Sequence, residues 1–163
     1  MSLQDDLLHQ ARQLATHEPK RPKQASLRRA VSAAYYALFH LLTSDGAAAL
    51  SPLKEVGARA IIARSFQHKE MVLAATSVSK GKLPKSYDDL QVTPSATLRS
   101  VADAFRILQD SRHEADYNVV RSFTRAETLT LIARAEQAFK DWRHIRADRD
   151  AKMFLQSMLL KGR

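Results

Sequence analysis

The feature that most limits how this chain can fold is a run of apolar residues at helical spacing. Between Gln24 and Ser44, the side chains of Leu27, Ala30, Val31, Ala34, Leu38, Leu41 and Leu42 fall on one wide face. A face that broad is stable only when several neighbouring elements cover it, because an isolated helix gains too little from its own hydrogen bonds. The rest of the chain can supply those neighbours. Ala, Leu, Arg, Lys, Gln and Glu dominate, residues that lose little freedom on entering a helix, and only 4 Gly and 5 Pro interrupt 163 residues. Strand-forming clusters are nearly absent, so an all-α fold is expected, and this length suits one domain around one apolar core.

Local signals place the helices. Ser2 with Asp5 reads as the cap of a first helix running to about Thr16, with Leu3, Leu7, Leu8, Ala11, Leu14 and Ala15 at helical spacing. Pro19 and Pro22 remove two amide donors from 17–23, which reads as a basic loop. Gly46 is expected to end the helix that starts at Gln24. Ser51-Pro52, with Glu55, reads as the start of a helix to about Ser65, followed by another from His68 to about Ser77. The segment 79–93 lacks a steady period and reads as a loop. Pro94 then opens a long helix whose stripe of Leu98, Val101, Ala102, Phe105, Leu108, Arg112, Ala115 and Val119 contains an arginine. Thr124 and Glu127 mark a further helix to about Arg146, and Phe154, Leu155, Met158 and Leu159 allow a short terminal one.

Charge narrows the choice of partners. With 26 Lys and Arg against 17 Asp and Glu the formal net charge is +9, which favours polyanions because each neutralised phosphate releases counterions. A solvated basic surface on an ordinary protein would carry the same excess. There is no Cys, so disulfides and thiolate zinc sites are excluded. The first ten residues carry Asp5 and Asp6 where a secretory signal needs basic residues and an apolar run, and the stretch 30–42 falls short of the roughly 18 apolar residues of a membrane span. A cytoplasmic protein without a membrane partner is expected.

Two clusters could carry chemistry. Histidines at 9, 17, 40, 68, 113 and 144 show no spacing that would set two imidazoles beside one metal, and no glycine-rich phosphate loop exists, so neither metal nor cofactor is expected. In the first cluster Arg29, Ser32, Tyr36 and His40 share a narrow polar face of an otherwise apolar helix. The second is Arg112-His113-Glu114-Ala115-Asp116-Tyr117, in which Arg112 and Asp116 stand one turn apart. An ion pair ordering a helix end would explain the second, and core packing the tyrosines of the first.

The run Ala33-Ala34-Tyr35-Tyr36-Ala37-Leu38-Phe39-His40, followed much later by Arg112-x-x-Ala115-Asp116-Tyr117, resembles the HEPN domain (higher eukaryotes and prokaryotes nucleotide-binding) over roughly residues 7–139. The resemblance implies an up-and-down helical bundle of about five to six helices, a HEPN-like domain over 1–145 and a basic helical extension over 146–163. It also implies a homodimer with the arginine motifs of two subunits facing each other. Many members are metal-independent ribonucleases using an arginine, an adjacent polar residue and a histidine slightly over one turn later. By that resemblance Arg112, His113, Asp116 and Tyr117 are the candidate catalytic residues. Tyr36 and His40 would line the RNA cleft, and Lys20, Arg21, Lys23, Arg28 and Arg29 would steer the RNA.

The chain departs from that pattern where the histidine usually stands, which here is Tyr117. A tyrosine near its ordinary pKa of about 10 is a poor general base at neutral pH. Cleavage and binding alone therefore both remain open. A second reading is a non-catalytic subunit partnering a nucleotidyltransferase-type or other defence-system protein, as in a toxin and antitoxin pair. A third is DNA binding through Arg143, Arg146, Arg149 and Lys152, which recur at threes.

Overall fold

The computed structural model describes residues 1–51 and 53–160. Seven α-helices follow one another among these residues: α1 (Leu3–Thr16), α2 (Gln24–Leu50), α3 (Val56–Ser65), α4 (His68–Ser79), α5 (Ala96–Tyr117), α6 (Arg125–Ile145) and α7 (Arg149–Ser157), with a 3-10 helix at Lys85–Leu90 between α4 and α5. No strand is present among the described residues. The long α2 lies at the centre, with α1, α3, α5, α6 and α7 against it and α4 against α5. Its Leu27, Ala30, Val31, Ala34, Tyr35, Leu38 and Leu42 are fully buried among Phe105, Ile132, Trp142 and Phe154. Complete burial of a leucine or valine side chain stabilises the fold by about 1.5–3 kcal/mol relative to leaving it in water.

Several helix starts follow the local signals. The Ser2 hydroxyl accepts the Asp5 amide at 3.4 Å, and Thr124 accepts the Glu127 amide at 3.1 Å, each satisfying an amide that has no partner within the helix. The α5 start is two residues later than Pro94 suggests, at Ala96: Ser95 is the cap, accepting the Leu98 amide at 3.1 Å. The segment expected as a loop contains the 3-10 helix, anchored by buried Leu83 and Tyr87.

Gly46 does not end α2, which continues to Leu50. A Cβ at this glycine would stand 2.4 Å from Cζ of the buried Phe66 ring. The residue is small because an aromatic ring leans on the helix there, not because the backbone turns left-handed. The Ser51-Pro52 start also fails, with Pro52 itself outside the described residues. The Ser51 amide closes α2 on the Ala47 carbonyl and its hydroxyl donates to the Leu53 carbonyl at 3.3 Å, so it caps no new helix, and α3 begins at Val56.

At the other end of the chain, α7 buries Ala151, Phe154 and Leu155 in the same core as the other helices, with Met158 just beyond it. Buried Asp150 accepts the Ser95 amide at 2.8 Å and ties α7 to the start of α5.

Two glycines separate these effects. Gly46→Ala is expected to lower unfolding free energy by about 1–3 kcal/mol through overpacking against Phe66. Gly57→Ala, in α3 with nothing within 4 Å of the added methyl, is expected to leave stability unchanged or raise it by up to about 1 kcal/mol. Urea unfolding of both variants checks the contrast, and a stabilised Gly46→Ala would refute the packing argument.

Candidate functional site

The apolar stripe of α5 carries Arg112 inward, where it is only 7% exposed. A guanidinium in that position must be paired. Its Nη1 lies 3.5 Å from Asp116 Oδ2, one turn on, and its Nη2 donates to Gln109 Oε1 at 3.1 Å, one turn back. Its carbon sits 5.2 Å from the ring centre of Tyr35 and 5.8 Å from that of Tyr36, within range of cation–π attraction. The buried Nε has no hydrogen-bond partner among the described residues. Asp116 is held in turn by the Ser32 hydroxyl, which donates to Oδ1 at 2.5 Å. Ser32 and Tyr36 of α2 and Arg112 and Asp116 of α5 thus form one contact across two helices, joining both clusters seen in the sequence.

A residue that the sequence did not single out completes the group. His68 opens α4, stacks on Phe39 with ring centres 4.4 Å apart, meets Tyr36 edge-on and shares a hydrogen bond between its Nδ1 and the Tyr35 hydroxyl. Tyr35 is fully buried, and that burial pushes its hydroxyl far above the ordinary value despite the opposing pull of Arg112. Burial, then the Arg112 charge and His40, hold His68 below the usual imidazole range. The tyrosine therefore donates and the neutral imidazole accepts at Nδ1. Nothing in residues 66–70 marks His68 as special; only the packing of α4 on α5 brings it here.

The remaining candidates lie elsewhere. His40, half-buried and shifted down by burial, leans on Tyr36 and lines a separate groove of about 350 Å³ between α1, α2 and α3 with Leu3, Thr43 and Val56. His113 points outward, beside Lys69 and Leu73 in a groove of about 250 Å³ between α4 and α5, and its ring lies 5.0 Å from that of exposed Tyr117. Lys20, Arg21, Lys23 and Arg29 are exposed. Arg28 serves the backbone: Nη1 donates to the carbonyls of Ala115 at 2.9 Å and Asn118 at 3.0 Å, and Nη2 to that of Arg121.

In chemical terms, Arg112 is screened from solvent and already engaged by a carboxylate, and the imidazole of its own helix, His113, faces away. Two of the cations considered for DNA are also occupied, Arg143 by Asp5 at 2.7 Å and Arg146 by Asp45 at 3.6 Å. No group of three His, Asp or Glu side chains able to hold a metal occurs among the described residues, and none of the described helices is long and apolar enough to cross a membrane. Comparison with family models, with curated proteins and with solved structures finds no match to this chain.

The Tyr35–His68 bond can be tested by a double-mutant cycle. His68→Ala leaves a buried hydroxyl without its acceptor and is expected to cost about 1–3 kcal/mol. Adding Tyr35→Phe should cost less than it does alone, because the stranded hydroxyl is removed. Below about pH 6.5 the unfolded chain binds more protons than the folded one, whose His68 and His40 resist protonation. Stability is thus full above that pH and falls as acid is added. Urea midpoints at pH 7 and pH 5 should differ less in the double variant than in the parent; an equal acid sensitivity would remove His68 from this role.

Proposed function

We propose that this chain is a HEPN-like protein that binds RNA at the basic end of its helical bundle without cutting it. The observation that carries this reading is a division among the cations. Arg112, the residue that would orient a scissile phosphate, is closed inside the protomer on Asp116 and Gln109. Lys20, Arg21, Lys23 and Arg29 stand exposed, and among the described residues none of their charged groups forms an ion pair. Exposed cations on a short loop attract a phosphate backbone electrostatically and without sequence preference.

The closure of Arg112 on Asp116 and Gln109, with His113 turned to solvent, supports binding over cleavage. It equally favours a second reading, that of a non-catalytic subunit serving a nucleotidyltransferase or another defence-system partner. Tyr117, where the ribonuclease histidine is expected, is 66% exposed and touches His113, so neither completes a cleavage site around Arg112.

Fluorescence anisotropy with a labelled 20-nucleotide oligouridine, read across a salt series, tests the proposal. Lys20→Ala/Arg21→Ala/Lys23→Ala is expected to weaken binding about tenfold or more and to reduce the slope of log affinity against log salt by roughly 2, since a single strand loses about 0.7 per phosphate contact. The RNA should remain intact after incubation. Arg112→Ala is expected to lower stability by about 1.5–3 kcal/mol, through loss of its buried stem and its charge-assisted contacts, since the Asp116 left behind is open to solvent. Undiminished binding by the triple variant would overturn the reading, and so would RNA cleavage that Arg112→Ala abolishes.

A further inference from the structure

The turn between α5 and α6 exposes apolar side chains on a backbone that is held in place from several directions. Val119 is 87% exposed, Val120 88% and Tyr117 66%. An unbraced surface loop would let such side chains fold back or fluctuate, yet here the backbone is fixed. Arg28, from across the bundle, donates to the carbonyls of Ala115, Asn118 and Arg121. The Asn118 side chain accepts the amides of Val120 at 3.2 Å and Arg121 at 3.3 Å, and its amide group donates to Glu114 at 2.7 Å. Gln24 then both donates to and accepts from the Phe123 backbone, at 2.8 and 2.9 Å. An apolar tip ordered before it meets anything has already lost the entropy that binding would otherwise remove.

The apolar surface extends along the bundle. The Tyr117 ring lies 5.0 Å from that of His113, and His113 shares the α4–α5 groove with Leu73, itself 53% exposed. The surroundings of the tip are cationic. The loop 17–23 is tied to this end by Arg125, which donates to the Ala15 carbonyl at 3.1 Å and the Pro19 carbonyl at 3.3 Å, and Gln24 and Arg28 bring the start of α2 to the turn, so exposed Lys20, Arg21, Lys23 and Arg29 lie at the same end of the bundle as the tip. Of the acids at this end, Asp116 pairs with Arg112 and Glu127 with Arg121, whereas Glu18 accepts the Ser26 hydroxyl and the Lys23 amide and Glu114 accepts the Asn118 side-chain amide, leaving the four exposed cations in excess.

We infer that the Tyr117–Val120 turn is a docking surface for an acidic protein segment that places an apolar socket over Val119 and Val120 and carboxylates against Lys20, Arg21, Lys23 and Arg29. Charge selects this occupant. A second copy presenting the same end would bring cation against cation. RNA would satisfy the cations but offers nothing to two branched aliphatic side chains, which have no flat face for a base to stack on. A lipid surface is less suited, because the tip has none of the Trp, Phe or Leu that anchor a segment in the acyl region. The inference stands apart from RNA binding, which needs the cations and not the valines.

The test uses the full chain as bait for a display library of random 12-residue peptides, with recovered peptides synthesised and their affinities measured by anisotropy. Recovered sequences should carry two or more Asp or Glu around an aliphatic or aromatic residue. Their binding should weaken at least tenfold with Val119→Ser/Val120→Ser, which leaves every cation in place, and at least tenfold with Lys20→Glu/Arg21→Glu/Lys23→Glu. Oligouridine binding, measured on the same valine variant, should be unchanged, so failure of the RNA reading and failure of the docking surface are separately visible. Unaltered helical circular dichroism of the variants ties any loss to the surface and not to the fold. Peptides without acidic enrichment, peptides indifferent to the two valines, or valine-dependent binding to 3:1 phosphatidylcholine:phosphatidylglycerol vesicles with no peptide recovered would each overturn the inference.

Discussion

A guanidinium placed among tyrosines holds the middle of this fold together. Arg112 keeps a cation in a low-dielectric interior where it must be compensated, and its neighbours are arranged around that constraint. Asp116 compensates its charge, Ser32 fixes Asp116, and the faces of Tyr35 and Tyr36 cover it from α2. Tyr35 then reaches His68 and so draws the start of α4 into the same group. Three helices are set in register by polar contacts whose partners are specific, where aliphatic packing alone would tolerate sliding.

That use of Arg112 decides how the rest of the surface is read. The exposed cations without an ion pair at this end of the bundle include Lys20, Arg21 and Lys23 of the α1–α2 loop and Arg29 of α2. The basic excess of the sequence is thus unevenly distributed. Some of it is spent on the backbone, as with Arg28 and Arg125, some on carboxylates, as with Arg12, Arg143 and Arg146, and the remainder is available to a partner.

Much of the helical framework was legible because its signals are local. Caps at Ser2 and Thr124 act within one turn, and the prolines of 17–23 break a helix wherever they occur. Gly46 misled because glycine serves two purposes, a left-handed turn and a close approach, and only Phe66, twenty residues on, reveals which applies. The long helix was expected to carry its stripe to Val119 but stops at Tyr117, where Asn118 turns its side chain onto the following amides. Within the site, Arg112 and Asp116 could be paired from their spacing alone, whereas Tyr36, on a different helix, and His68 could not be joined to them. The Arg143 to Lys152 run looked like a free basic face because its partners, Asp5 and Asp45, lie about a hundred or more residues away in sequence.

Asp150 has an implication for how the molecule is made. It is the acceptor for the Ser95 amide at the head of α5, and Trp142 donates its indole hydrogen to Asp45 of α2 at 2.8 Å. Both contacts join an early or central helix to residues synthesised near the end of the described chain. On a ribosome, the central helix and the arginine-bearing one would emerge before these closing partners, leaving apolar faces open for the time needed to translate roughly forty residues from the end of α5 through α7, a few seconds at typical elongation rates. A nascent chain in that interval presents the surface that chaperones bind, so its yield in a cell depends on how quickly the carboxyl-terminal helices arrive as well as on how stable the finished protein is.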